Sequence, residues 1–241
     1  MFSVNRKLRG VAGGSSRAII NQGEITIAHC SSGIKIYWGG VEVTQGAGLN
    51  LGINTLGLWS DSSRADWRII KKDKDYFEFK LTFWDLPLIQ IWALKIVNNQ
   101  EINWYVDMDV EELLQCDEFR ALCLLNPRYK VWVNNYCQGN FPRLDNNWRD
   151  ICLDNIATSL VGVRFPVEGN FSPAFIMEPN IKRKNNVYPL IQSASVNDAM
   201  QIVGLRKMPP QDKKDFWPGH HYLFSIKISL FADDCSLDDK I

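Results

Sequence analysis

The chain has 241 residues, of which 46% are hydrophobic, and its 27 basic and 27 acidic side chains give a net charge of +0. A chain of this length can bury a full core, and we expect one domain over residues 1–241. The balanced charge argues against a nucleic-acid partner, because duplex binding normally requires a basic surface. No stretch approaches the roughly 20 apolar residues of a membrane helix. No apolar signal-peptide core follows the first charges either, so we predict a soluble cytoplasmic protein without a membrane partner.

The six cysteines show no C-x-x-C pair, and a chain of this size does not depend on disulfides. We expect free thiols at Cys30, Cys116, Cys123, Cys137, Cys152 and Cys235. In a cytoplasmic protein the sequon Asn170-Phe171-Ser172 is incidental. The basic cluster Lys182-Arg183-Lys184 is flanked by asparagines, which is typical of a solvated hairpin tip.

Short runs rich in β-branched and aromatic residues predict strands from the first residues onward. The predicted strands before residue 75 are 17–20, 24–29, 33–38, 41–44 and 67–71. The glycine-rich run Gly46-Ala47-Gly48 lacks the spacing of a phosphate cradle, and we interpret it as a loop between strands.

Three consecutive strands between residues 76 and 110 show which of their faces is buried. Phe77, Phe79, Leu81 and Phe83 alternate with polar residues, which is the period of a strand with one buried face. The segment 88–97 is apolar on both sides and is predicted in the sheet interior. In 101–110, the alternation places Trp104 and Val106 in the core and leaves a polar face.

Later strands are predicted at 119–125, 130–134, 159–165, 173–178, 188–193, 200–205 and 221–231, with short helices at 110–116 and 147–155. In the last strand the alternation predicts that Tyr222, Phe224, Ile226, Ile228 and Leu230 face the core. About fifteen strands with frequent turns favour an all-β fold, a large antiparallel two-sheet sandwich with very little helix.

The polar face of 101–110 carries Tyr105, Asp107 and Asp109 in register. Charged residues on one side of a strand are often only a solvated face. The faces of large sheets also hold polar ligands, so these residues are candidates for a binding site.

Two loops, residues 59–67 and 129–148, mix aromatic rings with amide, carboxylate and guanidinium groups, which is the chemistry that recognises the apolar face and hydroxyl rim of a sugar. The candidate ligand-binding residues outside the polar face are Trp59, Arg64, Trp132, Arg143 and Trp148. Such loops also cover the ends of sandwich cores, so plain packing remains the alternative. If both loops overhang the polar face, a carbohydrate pocket becomes the favoured hypothesis.

The run Phe216-Trp217-Pro218-Gly219 places a Pro-Gly turn before a final long strand. A many-stranded sandwich with this ending resembles the galactose-mutarotase-like supersandwich of aldose 1-epimerases and of domains in polysaccharide-active enzymes. The resemblance implies a sugar ligand and, for an epimerase, a glutamate base near the chain end with histidine acids on central strands. Here no glutamate follows Glu178, and the histidines are His29, His220 and His221.

If the chain is an aldose 1-epimerase-like isomerase, Asp107 or Asp109 is the candidate base and His220 or His221 the candidate acid. Neighbouring strand residues point to opposite faces, so His220 and His221 do not form a metal site. Phosphate-loop and G-x-S-x-G motifs are absent from the sequence, and we expect neither metal nor cofactor. The prediction is a carbohydrate-binding or carbohydrate-processing protein of glycan or surface-polysaccharide metabolism. A non-catalytic sandwich that contacts another protein is the alternative.

Overall fold

The computed structural model describes residues 18–31, 33–144, 147–153, 155–164, 173–180, 187–194 and 199–232. Within these ranges the chain is almost entirely β-strand, with two short 3-10 turns at Ser62–Arg64 and Gln211–Lys213. The strands are β1 (Ala18–Gln22), β2 (Ile25–Cys30), β3 (Gly33–Trp38), β4 (Val41–Glu42), β5 (Thr44–Thr55), β6 (Leu58–Asp61), β7 (Asp66–Lys72), β8 (Tyr76–Thr82), β9 (Leu88–Ile96), β10 (Glu101–Val110), β11 (Leu114–Gln115), β12 (Glu118–Leu125), β13 (Val131–Asn134), β14 (Gln138–Asn140), β15 (Arg149–Cys152), β16 (Val161–Val163), β17 (Ala174–Pro179), β18 (Tyr188–Ala194), β19 (Met200–Lys207), β20 (Asp215–Phe216) and β21 (Gly219–Phe231).

Most strands belong to two large antiparallel sheets. The ten-stranded sheet has the order β1-β2-β3-β5-β12-β19-β18-β15, with β4 paired to β3 and β6 paired to β5. The nine-stranded sheet has the order β14-β13-β16-β17-β21-β10-β9-β8-β7, and β11 pairs with β20 in a separate ribbon. The prediction of a large antiparallel two-sheet sandwich is therefore confirmed.

The main core contains buried side chains from both sheets, as the alternation predicted. Trp92 of β9 and Trp104 of β10 are fully buried and lie 4.9 Å apart between ring centroids. Trp67 of β7 packs on Trp92 at 5.0 Å, edge to face. Such aromatic pairs add about 0.5–1.5 kcal/mol each beyond the burial of their area. This cluster holds the central strands of the nine-stranded sheet against the core.

Both predicted helices are wrong. In the first segment, Leu114–Gln115 pairs with β20, and the amide of Cys116 donates to the Lys214 carbonyl at 2.9 Å. In the second, β15 pairs with β18 at the edge of the ten-stranded sheet. In both cases pairing with a distant strand overrides a weak local preference for helix.

The interpretation of Gly46-Ala47-Gly48 as a loop is also wrong, because β5 runs through it. Gly48 has φ 72°, and a Cβ there would collide with the carbonyl of Ile34 on β3. Glycine thus permits close approach of two backbones within a continuous strand.

Three of the predictions fall outside the described residues: the sequon at Asn170, the basic cluster at Lys182 to Lys184, and the thiol of Cys235. Among the described residues, no helix has the length and apolar character needed to cross a membrane.

Candidate functional site

A cleft of about 670 Å³ lies on the outer face of the nine-stranded sheet. It crosses the adjacent strands β17, β21, β10, β9 and β8, from the end of β17 to the start of β8. Its lining consists of apolar, aromatic, neutral polar and ionisable side chains: Tyr76, Glu78, Ile91, Ala93, Tyr105, Asp107, Asn180, His220, Tyr222 and Ser225. Both its volume and its mixed lining suit a small polar ligand.

The strand register arranges the lining in rows across the sheet. Tyr105 of β10 lies opposite Ser225 of β21 on one side and Ala93 of β9 on the other. In the next row, Asp107 lies opposite Tyr222 and Ile91. Ala93 and Ile91 form an apolar floor between polar groups of β10 and β8.

Glu78 of β8 pairs with Ala93, so it stands across this floor from the Asp107 side. Two strand spacings separate β8 from β10, which is about 9.5 Å between backbones. The hydroxyl of Tyr76 donates to Glu78 Oε2 at 3.0 Å. Burial and the hydrogen bond to Glu78 raise the pKa of Tyr76 to about 12, so this phenol remains neutral and acts as a hydrogen-bonding group.

A β-bulge decides which residues of β21 face the cleft. Val106 pairs with Phe224, whereas Asp107 pairs with Tyr222, so Leu223 is the extra residue. Leu223 is buried, and its carbonyl accepts a hydrogen bond from Lys207 Nζ of β19 at 3.4 Å. The prediction that Tyr222 faces the core is therefore wrong, because the bulge inverts the alternation and turns Tyr222 toward the cleft.

The same inversion separates the two histidines. His220 Nδ1 donates to Asp109 Oδ1 at 2.8 Å, and His220 Nε2 lies 3.8 Å from Asp107 Oδ2. His221 instead donates from Nε2 to the carbonyl of Trp217 at 2.7 Å and packs on the Phe216 ring, with centroids 5.2 Å apart. Neighbouring strand residues thus point to opposite faces, and only His220 lines the cleft.

His220 forms an acid and base unit with the two carboxylates. The hydrogen bond to Asp109 raises the pKa of His220 above its usual 6.5, and the charges of Asp107 and Asp109 act in the same direction. The Nδ1 bond to Asp109 leaves Nε2 directed toward Asp107. A protonated His220 beside Asp107 is chemically able to give a proton to one oxygen of a ligand while the carboxylate takes one from another.

The structure brings four of the predicted site residues together, namely Tyr105, Asp107, Asp109 and His220. Most of the others lie elsewhere. Trp59 is on β6 of the ten-stranded sheet, where its ring contacts Gly52 and stacks with the Arg120 guanidinium at 4.1 Å. Arg64 lies in the 3-10 turn that follows β6.

Trp132, Arg143 and Trp148 are also outside the cleft lining. Trp132 lies on β13, three strands from β21, and is partly buried against the main core with its ring over Gly139. Arg143 is exposed in the segment after β14. Trp148 is 52% exposed just before β15, at the edge of the ten-stranded sheet. The two aromatic loops therefore do not overhang the polar face of β10.

Sequence reasoning missed several lining residues. Tyr76 and Glu78 belong to the residues of β8 that alternate with Phe77 and Phe79, and this alternation was a usable signal. Strand order was needed to place Glu78 across β9 from Tyr105, and Tyr76 across β9 from Asn103. Asn180 enters through the β17–β21 pairing, in which its amide donates to the Ser225 carbonyl at 2.8 Å. The place of Tyr222 in the lining was not predictable, because it depends on the bulge at Leu223.

Comparison with known proteins gave structural likeness alone. No family model and no curated protein sequence matches the chain. An Escherichia coli K12 protein described as a "Putative aldose 1-epimerase" superimposes with a TM-score of 0.56 at 10% identity, covering 91% of this chain and 99% of that one. The GH36 α-galactosidase AgaB of Geobacillus stearothermophilus gives 0.54 at 8% identity, covering 92% of this chain and 41% of that one.

A second GH36 α-galactosidase of that organism, AgaA, solved in complex with raffinose, gives a TM-score of 0.52 at 8% identity, covering 88% of this chain and 40% of that one. This chain therefore spans about two fifths of the length of the α-galactosidases. At these identities the likeness shows the fold alone. The chain has the galactose-mutarotase-like supersandwich fold that its strand pattern predicted.

Proposed function

We propose that the chain binds a neutral carbohydrate in the cleft on the outer face of the nine-stranded sheet. The observation that carries this proposal is the apolar floor of Ile91 and Ala93, set between Glu78 on one side and Asp107 with His220 on the other. A sugar ring has an apolar C–H face and a rim of hydroxyls, and this arrangement matches both. The fold supports the proposal, because the aldose 1-epimerase-like and α-galactosidase structures share it.

The lining also favours a ligand without negative charge. The carboxylates that line the cleft are Glu78 and Asp107, and its lining residues include no lysine or arginine; Lys80 shares the row of Asp107 across Ile91 but does not line the cleft. A carboxylated or sulfated sugar would meet repulsion there. Sugar hydroxyls are good donors to carboxylates, and each such charge-assisted bond contributes about 1.5–3 kcal/mol.

Proton transfer at the anomeric carbon is the finer part of the proposal. Opening a sugar ring requires a base that removes the proton of the anomeric hydroxyl and an acid that protonates the ring oxygen. These two oxygens are bonded to one carbon, so the acid and the base must be neighbours. His220 Nε2 and Asp107 Oδ2, 3.8 Å apart, meet this requirement, and Asp109 acts by holding the His220 ring.

The test begins with calorimetric titration of wild-type protein and the Asp107→Asn variant with galactose, glucose and their oligosaccharides. Loss of one charge-assisted hydrogen bond should weaken binding by about 1.5–3 kcal/mol. Mutarotation of α-D-galactose and α-D-glucose, followed by polarimetry, then tests catalysis, and His220→Gln should abolish any acceleration. Sugar binding that is unchanged in Asp107→Asn would refute the site.

One observation favours a second candidate, contact with another protein. Leu56 and Gly57 form the two-residue loop between β5 and β6, with φ 53° and 84°. Leu56 and Leu58 are both 74% exposed at this tip. A leucine in the left-handed conformation is strained, and such strain is often retained for function. Exposure of two leucine side chains to water is a second cost, which a partner protein would remove by covering them.

This candidate predicts that wild-type protein shows a concentration-dependent mass in light scattering, and that Leu58→Asn abolishes it. If the protein is a monomer at every concentration, self-association through this tip is refuted.

A further inference from the structure

We infer that Lys207 is a positioning residue of the cleft, which holds the bulge of β21 from the ten-stranded sheet and so keeps His220 beside Asp109. Its Nζ donates to the carbonyl of Leu223 at 3.4 Å, and Leu223 is the extra residue of the bulge. This inference deepens the proposed function and rests on it, because His220 is the proposed acid. The geometry that it explains is measurable without a sugar.

Two registers are available to the first residues of β21. In the observed register, the bulge pairs Asp109 with His220. Without the bulge, the ladder with β10 would continue one residue further along β21 and set His221 opposite Asp109. Leu223, which is buried, would then lie on the outer face. The bulge therefore selects which histidine pairs with Asp109.

The sheet supports this part of β21 on one side only. The pairing with β17 covers Ile226 to Phe231, and the amide of Asn180 extends it to the carbonyl of Ser225 at 2.8 Å. In the described ranges, residues 219–224 pair with β10 alone. One ladder fixes the register less firmly than two, so a contact from outside the sheet is able to decide it.

Lys207 supplies such a contact from the opposite sheet. On β19 it pairs with Phe119 of β12, which is fully buried in the main core, and directly opposed residues share a face. Leu205, two residues earlier on the same face, is also buried in that core. The Lys207 side chain therefore points between the sheets, where it bonds the bulge. Straightening the bulge would turn Leu223 over and withdraw its carbonyl from Nζ.

The surroundings of Lys207 indicate a specific role for its amine. Burial lowers the pKa of Lys207, and among the described residues no carboxylate pairs with it. A charged group on the core side without an ion pair is unfavourable, and a methionine would fill the same space without this cost. The alternative is that the aliphatic stem of Lys207 merely covers the end of the core. The two interpretations differ in whether the amine is required.

The test compares Lys207→Met, which keeps the stem and removes the donor, with Lys207→Arg, which keeps a donor. The chain has three histidines, whose ring protons are followed by NMR titration. Lys207→Met should lower the pKa of His220 toward 6.5, and Lys207→Arg should retain the wild-type titration. Loss of a positive charge alone would raise the pKa of a neighbouring histidine, so a fall identifies loss of the Asp109 bond. Cross-strand NOEs of Asp109 should change from His220 to His221.

Lys35→Met is the matched control. Lys35 is also a partly buried lysine of the ten-stranded sheet, with a side chain 18% exposed, but it lies on β3 and pairs with Glu42. This variant should leave the His220 titration unchanged, and a fall as large as in Lys207→Met would overturn the inference. In wild-type protein, the Nζ protons of Lys207 should exchange with water more slowly than those of the exposed Lys71. Equal exchange rates would overturn the inference whether or not Lys207→Met folds.

The two proposals fail in different measurements. An unchanged His220 titration in Lys207→Met, with the Asp109–His220 NOEs retained, would overturn the role of Lys207 and leave the proposed function standing. Absence of sugar binding by wild-type protein would refute the proposed function, whereas the spectra of His220 would still decide the role of Lys207. If both proposals hold, Lys207→Met abolishes the acceleration of mutarotation as His220→Gln does, and Lys207→Arg retains it.

Discussion

Replacing Leu56 by asparagine is expected to stabilise the protein. Leu56 has φ 53° in the tight turn between β5 and β6, and this left-handed conformation costs an ordinary residue about 1–2 kcal/mol. Asparagine tolerates it far better, and Asn-Gly is the preferred pair for such two-residue hairpin turns. The leucine side chain is 74% exposed, so its removal forfeits little packing. We therefore expect a gain of about 1 kcal/mol and a rise in Tm of about 2–4 °C.

Leu58→Asn provides the matched control. Leu58 has the same 74% exposure but lies in β6, paired with Thr55, where no left-handed strain exists to relieve. Asparagine is unfavourable in strands, so this variant should be neutral or slightly destabilised. Urea denaturation followed by tryptophan fluorescence measures both. The reasoning fails if Leu56→Asn is no more stable than wild type, or if Leu58→Asn gains as much.

Three further predictions concern the site, the core and the thiols. Asp109→Asn should lower the pKa of His220 toward 6.5, measured by NMR titration of its ring protons. Because the pKa of His220 is raised in the folded state, the Asp109–His220 bond stabilises the fold fully at pH values below the unfolded-state pKa, and this stabilisation is lost as pH rises through the folded-state pKa. The Asp109→Asn variant should therefore lose this pH dependence of stability. An unchanged titration of His220 would contradict the Asp109–His220 hydrogen bond. Trp92→Ala should destabilise the fold by about 3–5 kcal/mol in urea denaturation, since the ring is fully buried between Trp67 and Trp104, and a loss below 1 kcal/mol would contradict that packing. In native protein, Cys137 should react with maleimide faster than the other four cysteines in the described part of the chain, which are buried, and equal rates would count against their burial.

The fold was predictable from sequence where side chains alternate over long strands. In β8 and β10 every second residue is apolar, and the burial follows that pattern residue by residue. Asp107 and Tyr105 were located by the same rule. Alternation works here because a one-residue slip would bury a whole polar face.

The rest of the site was not predictable by the same rule. One extra residue, Leu223, inverts the faces of β21 in the part of the strand that precedes it. His220 therefore lies in the cleft, where unbroken alternation would have placed His221. Composition marked the loops of Trp59 and Trp148 as suited to sugars, but it says nothing about which sheet a loop borders. Trp59 and Trp148 both lie at the ten-stranded sheet, and Trp132 lies on β13, three strands from β21 in the nine-stranded sheet.

A crystal structure of the protein soaked with the tightest-binding oligosaccharide tests the central claim most directly. The account predicts a sugar ring on Ile91 and Ala93, with hydroxyls bonded to Asp107 and Glu78 and an oxygen beside His220 Nε2. A sugar found instead on the ten-stranded sheet, against Trp59 or Trp148, would contradict it and place the binding site on the opposite side of the sandwich.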